Sequence, residues 1–207
     1  MPRFADGSVS EFLNALASPT PTPGGGTAAA FAGAMGASLL AMVAGLTKTR
    51  TGADAERLPL VLAGSALTPL RRRLASLADE DSAAFDEVMA AYRLPKASDE
   101  QKAARLRAIE TGLTHASTVP LDTLRACADA LEQAEAVARC GSVSAACDVS
   151  VAVGLLEAAA AGADANVRIN LDGLRDDGVA ARFRADTERL TSRAHAAAAR
   201  ARDALSQ

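Results

Sequence analysis

Apolar positions recur along this chain with helical spacing, and no stretch shows the two-residue alternation of a strand. Ser8-Val-Ser-Glu11 is a capping box that opens a short helix carrying Phe12, Leu13 and Leu16. A Pro/Gly loop follows at 21–26, and then a helix to about residue 48 with no charge between 27 and 46. Its positions 29, 33, 37, 41 and 45 are Ala, Gly, Ala, Ala and Gly, a stripe of small residues. Phe31, Met35, Leu39, Met42 and Leu46 form a separate ridge of large ones. A helix apolar on every side belongs in a core, so it is expected to be buried all round.

Residues 54–94 read as one long helical region, with Pro59 near its start and Pro69 expected to kink or divide it. Leu94-Pro-Lys96 ends it, and Ser98-Asp-Glu-Gln101 is a second capping box, opening a helix to about residue 117. Pro120 suits the first turn of the next helix, which Gly141 closes. A helix over 144–161 is expected to end at Gly162, a short one holds 166–171, and an amphipathic helix covers 178–205. With no repeat and no linker, the prediction is an all-α, single-domain bundle of about six to eight helices spanning residues 1–207.

Composition sharpens this picture. The chain of 207 residues is rich in alanine, has no tryptophan and has a single tyrosine, Tyr92. Such a mixture favours helix over strand, and the length suits one domain. Small side chains let helices approach closely, so part of the core is expected to lie between subunits. A net charge of −3 gives no basic footprint for nucleic acid. The arginines at 182, 184, 189, 193, 200 and 202 alternate with acids and read as a solvated face. Cys127, Cys140 and Cys147 are odd in number and lack Cys-x-x-Cys spacing, as expected of reduced, mostly buried thiols in a cytoplasmic protein. The uncharged run is long enough for a bilayer, but Ala, Gly and Ser dominate it and no second candidate accompanies it. It is therefore read as a core helix, not a membrane span. Arg3 is followed by polar residues, so no signal peptide is expected.

Several residue groups could carry chemistry. Pro21-Thr-Pro-Gly-Gly-Gly-Thr27 places three glycines before a helix, where free N–H groups and the helix dipole favour an anion; a plain connector is the alternative. Asp81, Phe85, Val88 and Tyr92 share one helical face, which turns the acid inward with apolar residues. A buried carboxyl needs a partner and is a functional candidate. Lys96 lies just past that helix, where a cation can meet a carboxylate from elsewhere. Asp148 sits in the opening turns of an Ala/Val helix, and Asn166 and Asn170 share a face at i,i+4. For each of these a structural partner is the alternative reading. His115 and His195 lack ligand spacing, so no metal is expected, and Gly-x-Ser-x-Gly is absent.

Taken in order, Pro21-Thr-Pro-Gly-Gly-Gly-Thr-Ala-Ala-Ala, Asp81-Ser-Ala-Ala-Phe85, Ala91-Tyr-Arg-Leu-Pro-Lys96, Cys140-Gly141, Asp148 and Asn166-Val-Arg-Ile-Asn170 resemble the cyclodeaminase/cyclohydrolase family of one-carbon folate metabolism. The resemblance covers essentially the whole chain. It implies an all-helical homodimer without metal, acting on a tetrahydrofolate derivative. By the same resemblance Asp81 is the catalytic acid and Lys96 the lysine of Leu-Pro-Lys. Gly24, Gly25 and Gly26 match the loop at the folate site, Asn166 and Asn170 match the paired amides, and Asp148 is implied to anchor the pterin. The family commonly has Gly-Asn where this chain has Gly141-Ser142, and Ser-Asp where it has Cys147-Asp148. Ser142 then stands at a substrate-binding position without the usual amide. Three functions stay open: hydrolysis of 5,10-methenyltetrahydrofolate, ammonia-releasing cyclodeamination of formiminotetrahydrofolate, or folate binding with degraded catalysis.

Overall fold

The computed structural model describes residues 4–207; Arg3, on which the signal-peptide reading rests, lies outside the described residues. Among the described residues there are six α-helices and no strand: α1 (Val9–Leu16), α2 (Gly25–Ala44), α3 (Arg57–Tyr92), α4 (Asp99–Cys140), α5 (Ala146–Leu171) and α6 (Asp177–Leu205). Both capping boxes form as predicted, Ser8 with Glu11 at α1 and Ser98 with Gln101 at α4. The all-α bundle is the fold expected.

Two predicted breaks are absent. Helix α4 runs straight through Pro120, and α5 runs through Gly162. A mid-helix proline removes one N–H and orphans the carbonyl four residues back. Here that carbonyl belongs to Ala116, and the Asn170 side chain donates to it at 2.6 Å from Nδ2. The tertiary hydrogen bond replaces the lost helical one. Gly162 is retained in the helix because a Cβ there would stand 3.1 Å from the Ala29 Cβ, so its missing side chain serves packing rather than termination. Pro69 likewise lies inside α3, which it does not divide.

Helix α2 packs against α3, α4 and α5. Gly36 admits the α5 backbone, since a Cβ there would lie 2.8 Å from the Ala152 carbonyl and 2.8 Å from Leu156, and Gly33 admits side chains of α3 and α4, since a Cβ there would lie 3.1 Å from Leu74 and 2.9 Å from the Cys127 sulfur. Contacts of Gly25 with Asn166 and of Gly36 with Ala152 set α2 antiparallel to α5; those of Gly26 with Asp81 and Gly64 with Ala44 set it antiparallel to α3. Leu40, Leu67, Leu74, Leu124, Leu131 and Leu156 are buried in the same core.

The expectation that α2 is buried on every side needs correction. Its small residues face the bundle, while Met35 and Met42 on the large ridge are 53% and 43% exposed. Close approach requires the small stripe inside, which turns the bulky residues outward. The continuity of α5 also creates a second segment long and apolar enough for a bilayer, Val143–Leu171, beside Gly25–Ala44. Each packs one face into the bundle. Of the three thiols, Cys127 is buried and its pKa is pushed by burial up to about 12, Cys140 is half-buried, and Cys147 is exposed rather than buried.

Packing at Gly36 makes a stability prediction. Gly36→Ala is expected to destabilise the fold by about 1–3 kcal/mol through overpacking against the α5 backbone. Gly64→Ala, with ordinary contact to Ala44, should stabilise by about 0.5–1 kcal/mol. Urea unfolding of the two variants checks the contrast.

Candidate active site

The N-terminus of α2 begins at a half-exposed Gly24, whose glycine can offer no side-chain cap. Gly25 and Gly26 are not loop residues but the first turn of the helix. The capping group comes from another helix. Asp81, midway along α3, accepts a hydrogen bond from the Thr27 hydroxyl, Oγ1 to Oδ2, at 2.9 Å, and the Thr27 backbone N–H contributes as well. This carboxylate therefore satisfies donors that a helix start leaves free.

Gly26 is what admits it. A Cβ at that position would lie 2.1 Å from Asp81 Oδ1 and 2.6 Å from Cγ, so any side chain would expel the carboxyl group. The three glycines have different duties. A Cβ on Gly25 would reach Asn166 at 3.9 Å, an ordinary contact, and one on Gly24 would meet the Pro21 carbonyl at 3.4 Å.

Around this contact lies a cavity of about 330 Å³ lined by Pro21, Thr22, Gly24–Gly26, Asp81, Phe85, Val88, Ala116, Asn166, Ile169 and Asn170. That volume falls at the small end of ligand pockets. Phe85 and Val88 follow Asp81 on its helical face, as the spacing predicts, and give an apolar wall; Tyr92 continues the face but is 44% exposed. Asn166 donates from Nδ2 to the Gly162 carbonyl at 2.8 Å, and Asn170 donates to Ala116. Each amide thus fixes itself through one N–H and keeps its own carbonyl oxygen for a ligand. With the Asp81 carboxyl, the lining offers three acceptor groups against a donor-bearing edge. Larger hollows of about 610 Å³ lie along α1 and along α2–α3, but neither gathers such polar groups around an inward acid.

Burial is the leading influence on Asp81 and raises its pKa above its ordinary value, although both Thr27 hydrogen bonds oppose it. Raising the pKa strengthens the carboxylate as a base, the property that proton exchange with a bound ligand would use.

The sequence candidates divide. Gly24, Gly25, Gly26, Asp81, Asn166 and Asn170 come together at the cavity. Lys96 is exposed beyond the end of α3, about 16 Å of helix rise from Asp81 to Tyr92 alone. Ser142 is buried at the opposite end of the bundle, bonded to Ser144 at 2.9 Å, beside a Gly141 that packs on Val43. That position is about 25 Å along α2 from Gly26, and Asp148 in the first turn of α5 lies about 27 Å along that helix from Asn166. Thr27 and Ser82 are the site residues that sequence reasoning misses. A threonine three places after a glycine N-cap was the available signal. The histidines stand elsewhere, His115 paired with Glu87 at 2.7 Å.

Asp81→Asn is expected to raise the melting temperature at neutral pH. A raised folded-state pKa means that the wild type loses stability as pH rises from the unfolded to the folded value. The neutral amide escapes that loss, so its advantage grows with pH and vanishes in acid. Melting temperatures of both proteins across pH 4–8 check the sign. In parallel, Gly26→Ala should displace the carboxyl and remove activity, whereas Gly25→Ala keeps the Asp81 contact.

Comparison with known proteins identifies the family. A family model described as formiminotransferase-cyclodeaminase matches residues 8–189. The chain is 44% identical over 172 residues to a methenyltetrahydrofolate cyclohydrolase of Methylorubrum extorquens, covering 82% of this chain and 81% of that protein. It is 34% identical over 178 residues to formimidoyltransferase-cyclodeaminase of Rattus norvegicus, covering 83% of this chain but 32% of that longer protein. The crystal structure of formiminotetrahydrofolate cyclodeaminase from Thermotoga maritima matches with a TM-score of 0.86 at 28% identity, over 97% of this chain and 96% of that one. By the span of the family match and the identity of these relatives, the chain belongs to the formiminotransferase-cyclodeaminase family.

Proposed function

We propose that this chain is a cytoplasmic enzyme of one-carbon folate chemistry that hydrolyses 5,10-methenyltetrahydrofolate to 10-formyltetrahydrofolate. The observation that carries this reading is Asp81, an inward carboxyl of raised pKa in a cavity with two fixed amides and an apolar wall. The 44% identity to a methenyltetrahydrofolate cyclohydrolase supports the choice of substrate.

The substrate bears a delocalised cation across N5, the bridging carbon and N10. The ionised Asp81 lowers the energy of that cation, orients water and accepts its proton as the oxygen bonds to carbon. The tetrahedral intermediate collapses by breaking the carbon–N5 bond, and Asp81 returns its proton to N5. The carbonyl then forms on N10 with release of the hydroxyl proton, so one water is consumed and one proton released. Asn166 and Asn170 present acceptors to the pterin donors, and the flat backbone at Gly24–Gly26 lets the ring approach.

Formiminotetrahydrofolate cyclodeamination is the second reading, favoured by the 0.86 TM-score to a cyclodeaminase. Both reactions share a tetrahedral carbon flanked by the same nitrogens. Loss of methenyl absorbance without ammonia release from the formimino substrate selects hydrolysis, and the reverse selects deamination. Asp81→Asn is expected to lower the rate about 10²–10⁴-fold. Lys96→Ala, outside the cavity of its own chain, is expected to cost less; an equal loss would put Lys96 at the reacting atoms.

The reading includes a homodimer. Met35, Met42, Val61, Leu62 and Val151 leave α2, α3 and α5 with exposed apolar residues, and a second copy is the proposed cover. Lys96, Ser142 and Asp148 reach a substrate in this reading only through such a copy. Met35→Glu is expected to yield a monomer in sedimentation velocity; a dimer of unchanged stability would move the interface to another face.

A further inference from the structure

Beside Asp81 lies a second, fully buried pair of hydroxyls that the reaction above does not use. Thr27 is 0% exposed and Ser82 is 4% exposed. Thr27 Oγ1 stands 2.9 Å from Asp81 Oδ2 and 3.1 Å from Ser82 Oγ. A hydroxyl has one proton to donate. Because Thr27 gives its proton to the carboxylate, the contact with Ser82 runs the other way, with Ser82 as donor and Thr27 as acceptor.

We infer that Ser82, Thr27 and Asp81 form a one-way hydroxyl chain that reserves Oδ2 as an acceptor and confines proton exchange with substrate to Oδ1. The chain makes Thr27 and Ser82 positioning residues, acting through Asp81 without touching substrate. It rests on the proposed hydrolytic reading for its use, but its geometry stands independently.

Three observations converge on it. The carboxyl is packed on the Gly26 backbone, where an added Cβ would meet Oδ1 at 2.1 Å, so it is held against rotation on that side. Thr27 and Ser82 are closed to solvent, so water does not replace either hydroxyl. Thr27 is fixed in the first turn of α2 and Ser82 adjoins Asp81 on α3, so the chain bridges two rigid helices. When Asp81 is ionised, the Thr27 proton stabilises Oδ2. When Asp81 is protonated, Oδ2 still accepts from Thr27, and the acid proton is left on Oδ1. The carboxyl therefore keeps one orientation through both halves of the reaction, taking the water proton and returning it to N5 from the same atom.

The test is carboxyl titration by carbon-13 NMR of aspartate-labelled protein, run beside the methenyl hydrolysis assay. Thr27→Val keeps the shape and removes the donor. It is expected to raise the Asp81 midpoint by about one pH unit and to move the acid limb of the kcat/KM profile upward by the same amount. A fall in kcat larger than the change in KM is expected, and Thr27→Ser should restore both titration and rate. Ser82→Ala should shift the midpoint in the same direction by less. Should Thr27→Val fold poorly, Thr27→Ser and Ser82→Ala decide: a midpoint unmoved in Ser82→Ala overturns the chain. An unchanged midpoint in a folded Thr27→Val variant also overturns it, even with an active wild type. A wild type inactive on both folates sinks the hydrolytic reading instead, and leaves the titration result to decide the hydroxyl chain.

Discussion

The close packing of neighbouring helices on the glycines of α2 is the constraint from which the α2 interfaces and the site both follow. Gly33 and Gly36 admit Cys127 and the α5 backbone at separations that a Cβ would not allow. The same small-residue face, carried to the first turn, leaves at Gly26 the gap that Asp81 fills. Core packing and carboxyl placement are thus one feature at two heights along a helix. Turning the small stripe inward sends Met35 and Met42 outward, so the need for a tight core also generates the surface that a second copy would cover.

What was legible in the sequence was local. The two capping boxes, the all-helical character and the inward face of Asp81, Phe85 and Val88 follow from spacing and side-chain chemistry within a few residues. Pro120 and Gly162 misled because their compensation is tertiary. The gap at Pro120 is filled by Asn170 from 50 positions further along, and Gly162 answers to Ala29 across the bundle. No window around either residue contains its partner.

Site membership shows the same limit in another form. Gly26, Asp81, Asn166 and Asn170 meet because antiparallel helices bring them to one height. Ser142, Asp148 and Lys96 carry equally suggestive chemistry, yet helix rise alone sets them at other heights. A motif specifies residue types and order; position along the bundle axis depends on the register of whole helices, fixed here by glycine contacts that look like any other small-residue stripe.

The electrostatics of the site rest on a balance between two opposed effects at one carboxyl. A carboxylate that caps a helix N-terminus is ordinarily held well ionised and makes a weak base. Asp81 caps α2 through Thr27, but it does so in a cavity walled by Phe85 and Val88, and burial outweighs the cap. Without burial the carboxylate would hold protons too weakly to draw one from water. Without the cap it would lose the Thr27 hydrogen bonds that oppose burial, and its pKa would rise further. Glycine at the N-cap, rather than serine or aspartate, leaves the donors of α2 unclaimed by local side chains and so available to an acid from α3. The helix start is stabilised by the group that the proposed chemistry needs, which ties the integrity of the fold at this point to the protonation state of one residue.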